Sequence, residues 1–139
     1  MDSLALVIQT RPEIPAVYLF GSRSSGRARP DSDTDVAVLT RATDWPEIAR
    51  RDHRWRRRLI LDLMNAFATD RVDLVILNDA APLLAHRILR DGRLLACPDP
   101  VARQRFTIAA IAEYLDTEPL RTQYLNAQRR QLQRNEERG

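Results

Sequence analysis

The chain has 139 residues, 44% of them hydrophobic and 29% charged, the balance of one globular domain with a buried core. Its net charge of +3 rests on 22 basic residues, all arginine, so chemistry that needs a lysine amine is excluded, whether a P-loop contact or a Schiff base. A single cysteine, Cys97, rules out an internal disulfide, and with His53 and His86 far apart in sequence no zinc pattern exists.

Residues 2–9 read as a short helical segment. The apolar run from Leu4 to Ile8 is too brief for a signal peptide, and no run approaches a membrane span, so a cytoplasmic protein without membrane contact is expected. Pro15 introduces a first strand over Ala16–Phe20, apolar without a break. It stops at Gly21-Ser22. The loop that follows is rich in Arg, Gly, Ser and Pro, and Pro30-Asp31 reads as its last turn. Gly21 to Gly26 has P-loop spacing, but Arg27 stands where that motif requires lysine. An ATPase site is thereby excluded.

The second strand, ending at Leu39, carries Asp33 and Asp35 at its start. Side chains alternate along a strand, so the two carboxylates share a face. Like charges so placed repel unless a cation lies between them, and hard oxygen ligands suit magnesium. Gly21 lets a bulky ligand approach the backbone, Ser22 and the N–H groups after it form an anion site, and Arg23, Arg27 and Arg29 add positive charge. A phosphate cradle facing paired carboxylates is the layout of a nucleotidyl-transfer site.

A helix is expected from about Asp44 to Thr69, with Asp44 and Glu47 as a capping box and Pro46 in the first turn. Ile48, Trp55, Leu59, Leu63 and Phe67 mark its core face. Arg50, Arg51, Arg54, Arg56, Arg57 and Arg58 mark the other, a solvated face or a landing surface for RNA or an acidic partner. Direct nucleic-acid binding stays open on this pattern. Val72 to Leu77 reads as a third strand with Asp73 near its start. Asn78-Asp79 is expected to cap a helix with Pro82 in its first turn and Gly92 at its end. Arg93 to Cys97 reads as a short edge strand, and two helices should follow, Val101 to Leu115 and Glu118 to about Arg134. The first of them carries a broad apolar face, the second a thin one. Neither a Gly-x-Ser-x-Gly elbow nor a Rossmann glycine fingerprint is present.

The run Gly21-Ser22-Arg23-Ser24-Ser25-Gly26-Arg27-Ala28-Arg29-Pro30-Asp31-Ser32-Asp33-Thr34-Asp35 resembles the signature of the DNA-polymerase-β-like nucleotidyltransferase superfamily. Within it the chain is most similar to the minimal nucleotidyltransferase (MNT) group, commonly the antitoxin of a pair whose toxin is a HEPN-domain ribonuclease. The similarity is dense from Val17 to Leu39. It departs at Ser25, where many relatives carry arginine.

The resemblance implies an α/β nucleotidyltransferase fold: a small mixed sheet with flanking helices and a C-terminal helical pair. One domain would span 1–139, with 1–97 as catalytic core and 98–139 as C-terminal helices. It further implies that two magnesium ions are held by Asp33, Asp35 and a third carboxylate matching Asp73, and that Gly21, Ser22 and Arg23 bind the nucleotide. The activity implied is transfer of AMP from ATP to a hydroxyl, a tyrosine of the cognate HEPN toxin, by a protein adenylyltransferase acting as antitoxin. Two alternatives stay open: an antitoxin that acts by binding alone, and a nucleotidyltransferase acting on a small molecule such as an aminoglycoside.

Overall fold

The computed structural model describes residues 3–21, 33–41, 45 and 53–138. Four strands form one mixed sheet: β1 (Ala16–Phe20), β2 (Thr34–Leu39), β3 (Val72–Ile76) and β4 (Arg93–Ala96), in the order β3-β2-β1-β4. β1 lies antiparallel to β2 and β4, whereas β2 and β3 run parallel. A parallel pair needs a crossover, and helix α2 (Arg54–Phe67) supplies it. The other helices with defined bounds among the described residues are α1 (Ser3–Gln9), α3 (Pro82–Asp91) and α4 (Pro100–Arg138).

Alternation along the strands splits the core into two layers. Val17, Val36, Val38, Leu74 and Ile76 face α1 and α2, where they meet Leu4, Ile8, Leu59 and Leu63. Ala16, Tyr18, Ala37 and Leu39 face the other way, toward Ile88 of α3 and Phe106 of α4. Leu59 and Leu63 are fully buried, and each such leucine contributes about 1.5–3 kcal/mol of burial. Tyr18 is buried as well, and its hydroxyl accepts a 2.6 Å bond from Arg103 Nε, which ties α4 to the sheet.

The helix expected from Asp44 to Thr69 is not continuous. His53, exposed and left-handed at φ 60°, breaks it, so α2 begins only at Arg54. The expected capping residues and Ile48, Arg50 and Arg51 lie outside the described residues. Arg56 does not belong to a free basic face, because its guanidinium donates to Leu74 O at 2.6 Å. Asn78 and Asp79 do not cap α3. They sit in a 3₁₀ turn, Leu77–Asp79, that ends β3 one residue early, and Ala81 precedes the helix without a side-chain cap.

The expected C-terminal pair is instead one helix of 39 residues, about 58 Å long. Pro119 lies inside it and cannot supply the N–H that Leu115 O would accept. Contacts of Tyr114 and Arg121, on either side of the proline, hold the helix here. The Tyr114 ring is stacked on His86 of α3 at 3.8 Å and covered on its other face by Arg121, which also donates to Tyr114 O. The apolar face expected on its first half is largely uncovered: Ile108, Ile111 and Leu115 are exposed, and Ala110 is buried.

Candidate active site

The carboxylates gather where β2 and β3 begin and β1 ends. Parallel pairing sets Asp35 beside Asp73, in direct register, while antiparallel pairing sets Asp35 beside Phe20, the residue before Gly21. Asp33 immediately precedes β2. The backbone there is anchored by Thr34, buried, whose N–H donates to Arg71 O at 2.7 Å across the β2–β3 boundary. Because Asp35 alternates with buried Val36 and shares a face with Ala37 and Leu39, it lies on the α3 side of the sheet. Asp73 shares that side with Val75.

Gly21 completes the arrangement. Its φ of +73° is a left-handed conformation that favours glycine, and a Cβ there would stand 2.1 Å from Asp35 Oδ2. The glycine is therefore needed twice, for the turn and for the space that the Asp35 carboxylate occupies. Ser22 and Arg23, expected to bind nucleotide, lie outside the described residues.

Burial lifts the Asp35 carboxyl above its ordinary pKa, and the negative charges of Asp73 and then Asp33 lift it further. Among the described residues no hydrogen bond or ion pair neutralises any of the three. Nor do three His, Cys, Asp or Glu side chains form a ready-made metal cage there. Magnesium takes one or two protein carboxylates and completes its shell with water and substrate phosphates. Oxygen donors alone, on one face and repelling one another, favour a hard divalent cation.

A cavity of about 340 Å³ opens beside Gly21, between the end of β1 and α3, bordered by Phe20, Leu84, Arg87, Ile88, Asp91 and Gly92. Sequence reasoning did not find this wall. Its residues lie some 65 positions beyond the Gly21 motif and reach it through the pairing of β4 with β1 and the packing of Ile88 on the β1 face. A larger cavity of about 620 Å³, between Arg11 and α2, borders none of the three carboxylates.

Comparison with known proteins agrees with this geometry. Residues 3–101 match the model of the polymerase β nucleotidyltransferase family. A protein adenylyltransferase MntA of Shewanella oneidensis is 38% identical over 84 residues, 60% of this chain and 55% of that protein. The protein adenylyltransferase MntA of Aphanizomenon flos-aquae is 32% identical over 98 residues, 68% of this chain and 65% of its own length. The chain thus spans little more than half to two thirds of these curated relatives. A crystal structure of a toxin–antitoxin with AMP-PNP superposes with a TM-score of 0.71 at 26% identity, covering 91% of this chain and 95% of that one. None of the described helices is long and apolar enough to cross a membrane. With a matched family model running from α1 into α4 and a mixed sheet presenting carboxylates beside a left-handed glycine, the chain belongs to the polymerase β nucleotidyltransferase family.

Proposed function

We propose that this chain is a cytoplasmic antitoxin that transfers AMP from ATP to a tyrosine hydroxyl of a cognate HEPN ribonuclease toxin. The observation that carries the reading is the register of Asp35 with Asp73, beside a glycine whose missing side chain makes room for the Asp35 carboxylate. The relatives named protein adenylyltransferase and the toxin–antitoxin with AMP-PNP support the substrate and the partner.

Asp33, Asp35 and Asp73 would hold magnesium, which when bound supplies charge neutralisation for the triphosphate and for the ionising acceptor. Gly21 leaves the backbone open to the phosphates, with Ser22 and Arg23 as the neighbouring contacts. Asp73, on the edge strand β3 and exposed, faces the acceptor side and takes the hydroxyl proton. The acceptor oxygen then bonds to the α-phosphorus as the bond to pyrophosphate breaks, and pyrophosphate leaves with the electron pair. The protein's part is positioning and charge placement, the terms that dominate phosphoryl chemistry. Residues 1–97 carry that chemistry in this reading, and 98–139 carry the docking. The added AMP brings bulk and negative charge to a surface that must admit RNA phosphates, and so silences the toxin.

Mass measurement of the intact toxin after incubation with the chain, ATP and magnesium tests the proposal. A gain of one or more AMP units, absent with Asp33→Asn, is the expected result. Neutralisation without any adduct would favour an antitoxin that acts by binding alone, a reading to which the exposed second half of α4 lends itself. Asp73→Asn should lower turnover strongly while ATP affinity stays within about three-fold, because the residue serves the acceptor and not the donor.

A further inference from the structure

We propose that the cavity between Arg11 and α2 binds single-stranded RNA, with Arg54 and Arg58 on the phosphates and Trp55 against a base. Arg11, Glu13 and Asp62 also line it. The site lies where α1 and α2 pack, on the face of the sheet opposite Asp35, so the inference does not depend on the transfer reading.

Charge is the first argument. Arg54, Arg58 and Asp62 follow one another at steps of four along α2, in one row on its surface. Asp62 stands where a helix places the partner of Arg58, but Arg11, between α1 and β1, takes its carboxylate instead. Glu13, the other acid of the wall, accepts from Trp55 Nε1 at 2.8 Å. Both acids are thus engaged, while Arg54 and Arg58 are exposed and have no partner among the described residues. Like charges one turn apart repel, and an anion between them removes the repulsion. Guanidinium forks match phosphate oxygens in pairs, which a point charge does not.

The neighbouring acceptors decide which anion fits. A segment rich in Asp and Glu brings side chains that only accept hydrogen bonds, and Glu13 and Asp62 repel them. A nucleotide brings phosphates for the arginines together with hydroxyl and amino donors for the two acids. The ribose 2′-hydroxyl is such a donor, and DNA lacks it. Trp55, half-buried on the same wall, adds aromatic surface, and stacking on an aromatic ring beside a cationic track holds single strands with little regard to sequence. A volume of about 620 Å³ falls in the usual range for small-ligand pockets and suits one unpaired nucleotide better than the width of a duplex. Arg57, exposed next to Arg58, carries positive charge beyond the cavity for the strand that continues from it.

Fluorescence anisotropy of a short labelled oligouridylate, titrated with the full chain in the absence of ATP and magnesium, tests the assignment. The double variant Arg54→Gln, Arg58→Gln should weaken binding by about tenfold or more. It should also flatten the slope of log affinity against log salt by about 1.4, the share of two phosphates on a single strand. The double variant Arg129→Gln, Arg130→Gln removes the same charge from the exposed second half of α4 and should change affinity by less than about twofold. Equal losses in the two variants would reduce the binding to net charge and overturn the site. Displacement of the RNA by polyglutamate at equal charge would assign the arginines to an acidic protein and overturn it as well. An oligodeoxyuridylate bound as tightly as the oligouridylate would remove the hydroxyl contact and the RNA assignment with it. A wild-type chain that binds no oligouridylate at low salt would overturn the inference outright and leave the transfer reading intact.

Discussion

The two ends of the sheet treat charge in opposite ways. Where β2 and β3 finish, every polar group named here has a partner. Asn78 accepts from Thr40 N and Thr40 Oγ1 at 2.9 and 3.0 Å and donates to Thr40 O at 3.0 Å. Arg41 donates to Pro12 O and to Asp99, and Glu13 accepts from Trp55 Nε1. Asp99 also caps α4 through Ala102 N–H at 3.1 Å, just before Pro100 in the first turn. Where β2 and β3 begin, Asp33, Asp35 and Asp73 face one another with no cation among the described residues. One end is closed by hydrogen bonds that belong to folding. The other holds like charge in a geometry that disfavours the isolated fold, and such opposition to stability is a mark of a site shaped for a ligand.

Replacing a carboxylate at the acidic end tests this contrast most severely. Asp35→Asn should cut AMP transfer by about 10³-fold or more, as loss of a charge-placing group does. It should also raise the melting temperature at neutral pH by about 2–4 °C, because the repulsion goes with the charge. The sign follows from linkage. A folded-state pKa raised above 3.8 means that the folded chain holds its proton longer than the unfolded chain, so stability falls as pH rises through that interval. The gain of the variant should therefore shrink toward acid, where the wild-type carboxyl is protonated in both states. A variant less stable than wild type at neutral pH would show that Asp35 is a structural residue after all.

Gly21→Ala comes next. The new methyl must displace the Asp35 carboxylate, and shifts of that size cost about 10²-fold in rate. Alanine also strains a φ of +73°, so a lower melting temperature should accompany the loss. Activity near wild type would mean that Asp35 is not held where it is needed.

Smaller still is the expected thermal response to magnesium. Wild type should melt higher as magnesium is added, by mass action on the folded state, and the double variant Asp33→Asn, Asp35→Asn should not respond. Equal shifts in both would place the cation elsewhere.

At the paired end, Asp99→Ala should lower the melting temperature and leave transfer unchanged. Asp99 is held below its ordinary pKa, first by the backbone N–H of Ala102 and then by Arg41. Its contribution is thus present above a pH of about 3.8 and lost as pH falls through the lower folded value. Melting curves of the two variants against pH should converge on wild type toward acid from opposite sides. Loss of transfer in Asp99→Ala would break the division between the ends.

Much of this was legible in one dimension because it depends on local pattern. Four strands, α1, α3 and the Asp33–Asp35 pair follow from alternation, apolar runs and glycine or proline punctuation. The errors fall where a distant group overrides a local preference. Pro119 reads as a helix boundary, yet the helix continues through it, with Arg121 bonded back across it to Tyr114 and Tyr114 stacked on the distant His86. Asn78 and Asp79 read as a helix cap, but Thr40 and Trp45 claim their side chains across 38 and 34 residues. His53 gives no warning of its left-handed backbone.

Sequence alone determined the chemistry available to the chain: paired carboxylates two residues apart, a glycine before a polar loop, and no lysine. Spacing sets which face of a strand a side chain takes, and that information is local. Tertiary structure alone decided who stands next to whom. The β2–β3 register brought Asp73 to Asp35, the β1–β2 register laid Gly21 against the Asp35 carboxylate, and β1–β4 pairing brought α3 to the end of β1 to make a cavity. Those contacts join residues tens of positions apart, where the order of strands and the burial of both sheet faces select the neighbours, and no window along the chain contains them.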